Sequence, residues 1–161
     1  MKKGEIMNIE LMPKNETVPT FDSSQIKVKH IESVECFSSY DGVYSEEEIS
    51  EDLISGILKQ IPTGINILLF LDPNGEDDFL EVICDGEWLA LGYSSNGGQE
   101  NYYSYNPEFA ESKEFCPLIS GGQSGIEKCF AIKDIEAGVK AVEYFIRTGK
   151  LYPGVEWAHQ L

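Results

Sequence analysis

The sequence has few basic residues for its length. Its 161 residues include 12 Lys and Arg against 28 Asp and Glu, which gives a formal net charge of −16. Such a surface repels phosphate backbones and anionic membranes, so we expect neither nucleic acid nor a membrane as a partner. It attracts basic partners over a screening length of about 8 Å at physiological salt. Plain solubility is the simplest alternative reason for the charge.

The negative charge is concentrated in the middle of the chain. Residues 31–114 contain two basic and nineteen acidic residues, whereas residues 1–30 carry a net charge of +1 and residues 115–161 a net charge of zero. The negative electrostatic potential is therefore expected on the surface formed by residues 31–114 and not evenly over the protein. A basic partner protein is the kind of ligand that this distribution favours.

Long hydrophobic runs are also missing. Lys2 and Lys3 open the chain, but the segment GEIMNIELMPKNE that follows breaks any apolar run. It predicts neither a secretory signal nor a membrane span, and so we expect a cytosolic protein. The sequon at Asn15 is then a chance occurrence.

The sequence also lacks the spacings of metal and catalytic sites. It has two histidines, His30 and His159, and no C-x-x-C pair, so it predicts no zinc site. Buried small hydrophobes are the better interpretation of its scattered cysteines: Cys36, Cys84, Cys116 and Cys129. The segment DPNGEDD lacks the spacing and terminal glutamate of a calcium loop, and SGGQSG lacks the Lys-Ser/Thr of a phosphate loop. We therefore predict no catalytic residues, no metal, no cofactor and no enzymatic activity.

The apolar spacing predicts strands and two main helices. A strand is predicted over Gln25–Phe37, and a buried strand over Ile65–Pro73. Ser45 with Glu48 three residues later forms a capping box that predicts a helix running to Pro62. The dipeptide at Asp85 favours a two-residue hairpin turn inside DFLEVICDGEWLALGYS. The segments NYYSYN, FCPLIS and IEKCFAI are further strand candidates, and SGGQSG favours a hairpin loop between the last two.

The last helix is predicted to end sharply and to be followed by a tail that packs on the core. Asp134 suits its N-cap, Gly149 its left-handed end, and Pro153 prevents it from resuming. Trp157 exposes a large apolar ring unless it is buried. Gly149, Pro153 and Trp157 are therefore predicted to be structural residues.

Together these patterns predict one α+β domain, with a largely antiparallel sheet packed against two main helices. A polar lead-in covers residues 1–24, and the domain covers residues 25–161. Loops between strands protrude and are held rigidly, so they are the favoured contact surface, with two tyrosines as candidate anchors. The predicted partner-binding residues are Asp72, Glu76, Asp77, Asp78, Asp85, Glu87, Tyr102 and Tyr103. The start of the first helix, with Glu47, Glu51 and Asp52, is the second choice.

The carboxyl-terminal segment AIKDIEAGVKAVEYFIRTGKLYPGVEW resembles the closing signature of the immunity protein one family, which protects bacteria against polymorphic and contact-dependent growth inhibition toxins. The resemblance covers about the last thirty residues and includes Thr148, Gly149, Pro153, Glu156 and Trp157. It implies a cytoplasmic protein that binds the carboxyl-terminal domain of one cognate toxin, often a deaminase or a nuclease. We expect a monomer or a 1:1 complex with a toxin that has a basic cleft. An acidic adaptor with a non-toxin partner is the alternative.

Overall fold

A computed structural model of the protein describes residues 8–15, 29–36, 42–72 and 77–161. Within these ranges the chain forms two helices, α1 (Glu51–Gln60) and α2 (Ile135–Thr148). The strands, in chain order, are β1 (Ile9–Met12), β2 (Ser33–Cys36), β3 (Gly42–Ser45), β4 (Ile65–Phe70), β5 (Phe79–Cys84), β6 (Leu89–Ser95), β7 (Glu100–Ser104), β8 (Phe115–Ser120), β9 (Ser124–Glu127) and β10 (Trp157–Gln160).

Eight of these strands form one sheet in the order β1-β10-β7-β6-β5-β4-β2-β3, and β8 and β9 form a separate hairpin. All neighbouring pairs are antiparallel. The two helices cover one face of the sheet, which we call the helix face, and bury its apolar side chains. The architecture confirms the predicted α+β domain with an antiparallel sheet and two helices.

The β8–β9 hairpin covers part of the opposite face, which we call the hairpin face. Ile83 and Ala90 of the sheet are buried there against Cys116 and Leu118 of β8. Because side chains alternate along a strand, Phe115 and Ile119 of β8 point away from the sheet and are exposed. Residues 121–123 connect the two strands, which confirms the predicted hairpin loop.

Helix α1 starts later than its sequence predicts. The capping box forms, with the Ser45 N–H donating to Glu48 Oε1 at 3.0 Å, but it closes only a single 3-10 turn. Ile49 then adopts an extended conformation and is buried, which interrupts the helical path. The α-helix begins after Ser50, whose Oγ accepts a hydrogen bond from the Leu53 N–H at 3.1 Å.

Helix α2 begins and ends where its sequence predicts. The Asp134 side chain accepts from the Ala137 N–H at 3.1 Å, and Gly149 has the left-handed φ of 72° at the C-cap. Gly138 lets the helix approach the sheet, because a Cβ at that position would stand 2.6 Å from a methyl carbon of the buried Leu89. Pro153 lies in the connection to β10, and its carbonyl accepts from the Asn15 N–H at 2.8 Å.

The hairpin between β5 and β6 has a longer loop than the predicted two-residue turn. Its loop covers Asp85–Trp88, closed by the Asp85 N–H donating to the Trp88 carbonyl at 3.2 Å. The Asp85 carboxylate accepts from the Glu87 and Trp88 N–H groups at 2.9 and 2.8 Å. The side-chain bonds of the aspartate, rather than a two-residue turn, shape this loop.

The ends of the described chain meet in the sheet. The predicted tail is a strand, β10, and it lies between β7 and β1. The predicted lead-in at residues 1–24 therefore contributes a strand to the domain, because Ile9–Met12 pairs with Trp157–Gln160. Of the strand predicted over Gln25–Phe37, the structure has Ser33–Cys36, while residues 25–28 and 37 lie outside the described ranges.

Candidate functional site

One end of the sheet collects acidic residues from several connections. The strand register places Ser45, Ser33, Phe70, Phe79 and Ser94 in one row across five neighbouring strands. The segments that enter or leave this row hold carboxylates, and we call them together the acidic end. Its members are Glu32, Glu46, Glu47, Glu48, Asp72, Asp77, Asp78 and Glu100.

The acidic end thus contains part of the surface that the sequence ranks first, namely Asp72, Asp77 and Asp78, and Glu47 of the surface that it ranks second. The loop with Asp72, Asp77 and Asp78 lies at the same end of the sheet as the segment that leads into α1. Basic residues also border it: the Lys29 ammonium is 3.4 Å from Glu46 Oε1, and Lys29 and Lys150 line one pocket with Glu32 and Glu46. Burial raises the pKa of Tyr93, and the charge of Asp78 raises it further, as expected beside a negative surface.

Hydrogen bonds join the described residues on the two sides of the β4–β5 connection. Asp72 Oδ1 accepts from the N–H groups of Asp77 and Asp78 at 3.1 and 3.2 Å. Asp78 Oδ1 accepts from the Asn96 N–H at 2.8 Å, which ties the loop to the β6–β7 connection. The Asp77 side chain is exposed. Glu76 lies outside the described residues.

Asp85 and Glu87 do not belong to the acidic end. They lie in the β5–β6 loop, at the opposite end of β5 from Asp78. Glu87 is also 3.7 Å from the Lys133 ammonium across an exposed gap. The predicted acidic contact residues are therefore divided between two ends of the sheet, which sequence reasoning could not resolve without the strand pairing.

The two candidate tyrosine anchors lie on opposite faces, as neighbours in a strand must. Tyr102 is half-buried on the helix face, where its ring stacks on His159 with centroids 4.3 Å apart. Tyr103 is on the hairpin face, 5.5 Å from the Phe130 ring, and its hydroxyl donates to Gln160 Oε1 at 2.9 Å. One partner surface cannot cover both rings.

Between the sheet and the β8–β9 hairpin lies a cleft of about 320 Å³, which we call the hairpin cleft. Glu81, Glu127, Tyr103 and Phe130 are among the residues that line it. Glu127 pairs with Phe115 on the outer side of the hairpin, so Glu81 is the carboxylate on the sheet side of the cleft. Gly92 is the cross-strand partner of Glu81, and because it has no side chain it leaves space in the cleft next to the sheet. Burial raises the pKa of Tyr103, and the charge of Glu81 adds to that rise.

Glu81 is a residue that the sequence analysis missed. It lies in β5, with Leu68 and Gly92 as its cross-strand neighbours. The Ser120 hydroxyl lies 2.8 and 3.1 Å from its two carboxylate oxygens and donates to them. Across residues 8–15, 29–36, 42–72 and 77–161, no basic side chain lies within ion-pair distance of Glu81 or Glu127. The signal available in the sequence was Glu81 itself, a single charged residue within the otherwise apolar segment FLEVIC.

The cysteines are in environments that do not activate a thiol. Cys36, Cys84, Cys116 and Cys129 are all buried, and burial raises the pKa of each. Among the described residues no three His, Cys, Asp or Glu side chains are grouped to hold a metal ion. Neither described helix is long and apolar enough to cross a membrane.

The class that fold and site define is a single α+β domain with an acidic sheet end and an acidic cleft beside it. The sequence matches no protein-family model and no curated protein sequence.

Proposed function

We propose that this protein is an immunity protein that binds a toxin domain acting on nucleic acid and blocks it by occupying its basic cleft. The observation that carries the proposal is the acidic end, where several connections present carboxylates at one end of a rigid sheet. A toxin that holds nucleic acid presents cations to phosphates, and carboxylates can replace those phosphates. The resemblance of the carboxyl-terminal segment to the immunity protein one family supports the same function.

Hydrogen bonds within the described part of the acidic end favour binding. The carboxylates of Asp72 and Asp78 each accept from backbone N–H groups, so these two side chains lose little conformational entropy when a partner docks. The exposed carboxylates of Glu47 and Asp77 are available to guide approach. Electrostatic steering of this kind raises the association rate more than it lowers the dissociation rate.

The first prediction concerns stoichiometry. A protein that acts by occlusion should silence its toxin at one molecule per toxin molecule, and a chelator should not change the protection. Titration of the cognate toxin with increasing amounts of the protein measures the endpoint. Silencing of many toxin molecules by one molecule of the protein would contradict the proposal. Full toxin activity at a molar excess would instead favour the alternative, an acidic adaptor.

The second prediction concerns the association rate. Changing Glu47 and Asp77 to Lys should slow association with the toxin about tenfold or more at low salt, because steering depends on charge at the contact surface. Both side chains are exposed and neither caps a neighbouring turn. Stopped-flow or surface-binding kinetics at two salt concentrations measure the change, which should shrink as salt rises.

A matched control comes from the opposite end of the sheet. Changing Glu87 and Glu108 to Lys alters the net charge equally, and both residues follow strand ends remote from Phe79. This variant should keep association within about threefold of the wild-type rate, since long-range field changes are largely screened. Equal slowing by both variants would remove the acidic end from the mechanism.

A further inference from the structure

We propose that the hairpin cleft receives an arginine side chain of the partner protein. The assignment depends on the proposed binding of a basic partner and names the group that enters one particular site. It starts from Glu81, a half-buried carboxylate within the sheet whose hydrogen-bond donor is the neutral Ser120 hydroxyl. A partly desolvated carboxylate is stabilised most by a cation, and no described side chain provides one.

The chemistry of the lining suits a guanidinium. Glu81 offers two acceptor oxygens, and Tyr103 and Phe130 offer aromatic rings. A guanidinium is planar, carries five donors and stacks on aromatic rings, whereas an ammonium is a compact and strongly hydrated charge. The mixed acidic and aromatic lining therefore favours arginine over lysine.

The size of the hairpin cleft fits a single side chain. Its volume of about 320 Å³ lies at the lower limit of ligand pockets, which begin near roughly 300 Å³. The Glu81 carboxylate disfavours nucleotides and other anions. A Cβ at Gly92 would lie 3.7 Å from the Tyr103 ring and 3.9 Å from Glu81 Oε1, so the missing side chain keeps open space next to the carboxylate.

The surroundings of the hairpin cleft have the character of a protein interface. Phe115 and Ile119, on the outer side of the covering hairpin, are 64% and 49% exposed. The Phe115 ring packs on Gly125, which itself lines the cleft. Exposed apolar side chains next to a charged cleft are typical of the anchor region of an interface.

The hairpin cleft is also close to the acidic end. Glu81 is three residues from Asp78 along the strand direction, a distance of about 10 Å at roughly 3.3 Å per residue. One partner can therefore place basic residues against the acidic end while one of its arginines enters the cleft.

The test uses the wild-type protein and two small probes. N-acetyl-arginine amide should produce saturable NMR shifts of the backbone amides of Glu81, Gly92 and Ser120. N-acetyl-citrulline amide has the same shape without the charge, and it should bind at least about tenfold more weakly, because a charge-assisted hydrogen bond is lost. Equal shifts from both probes, or shifts confined to the acidic end, would overturn the assignment.

Two variants and a control make the result specific. Glu81→Gln keeps an acceptor oxygen for the Ser120 hydroxyl but removes the charge, and it should weaken binding of the arginine amide about tenfold. Gly92→Ala should also weaken binding, because the added methyl group occupies space next to Glu81. Glu108→Gln, an equal charge change at an exposed position, should leave binding unchanged. Arginine amide binding by a protein that fails to inhibit its toxin would overturn the proposed function and leave the cleft assignment standing. Inhibition of the toxin by a protein that does not bind the arginine amide would overturn the cleft assignment and leave the proposed function standing.

Discussion

Replacing Trp157 by Ala is expected to lower the free energy of unfolding by about 3 to 5 kcal/mol, the range for truncating a large buried aromatic residue. The side chain is 3% exposed and belongs to the core between the sheet and the helices. Its indole N–H donates to the Tyr152 carbonyl at 2.8 Å, so the substitution also leaves that carbonyl without its partner. Urea denaturation followed by circular dichroism measures the loss.

A second substitution at the same position separates volume from hydrogen bonding. Trp157→Phe keeps an apolar ring but lacks the donor, and it should cost less than Trp157→Ala, with about 1 to 3 kcal/mol for the unsatisfied carbonyl. Unchanged unfolding of Trp157→Ala combined with lost toxin binding would place the residue in the interface instead of the core.

Replacing Glu51 by Ala is expected to lower the free energy of unfolding by about 2 to 3 kcal/mol. Glu51 forms a bidentate pair with Arg147, with both N···O distances 2.7 Å. The pair joins the first turn of α1 to the last turn of α2. Losing the carboxylate removes the bidentate partner of a guanidinium whose side chain is only 4% exposed. The expected cost is below the roughly 3 to 5 kcal/mol for breaking a fully buried pair, because the Glu51 side chain is 45% exposed.

A double-mutant cycle tests this explanation. Arg147→Met removes the charge while keeping a long apolar side chain, so the Glu51→Ala and Arg147→Met double variant should be more stable than Glu51→Ala alone. The coupling energy comes from four denaturation curves measured at one salt concentration. Additive effects of the two substitutions would show that the pair does not connect the helices energetically.

The sequence determined the local elements better than their arrangement. The ends of α2 followed from Asp134 and Gly149, because capping depends on neighbours along the chain. The predicted start of α1 was wrong. Ile49 is buried in an extended conformation, a tertiary constraint that limits the capping box to a 3-10 turn. The position of β10 between β7 and β1 depends on pairing of distant segments, which apolar spacing does not encode.

The candidate site follows the same pattern. The excess of acidic residues in the middle of the chain was visible from composition, but which residues share a surface depends on strand direction. Asp78 and Asp85 are close in sequence and lie at opposite ends of β5, whereas Asp78 and Glu46 are distant in sequence and share the acidic end. Glu81 escaped notice because a glutamate in a strand of a half-exposed sheet is unremarkable until its neighbours are known.

The position of β10 has a consequence for how the chain folds during synthesis. β1 pairs with β10 within the sheet, and Trp157 lies 145 positions after Met12. At about 5 to 20 residues per second, the ribosome needs roughly 7 to 30 s to make the strand that β1 pairs with. Once Ser104 completes β7, the edge of that strand has no neighbour for roughly 3 to 11 s at the same rate, since β10 is its partner on that side. Closure of the sheet is therefore a late event, timed by translation of Trp157–Gln160 rather than by collapse of the core.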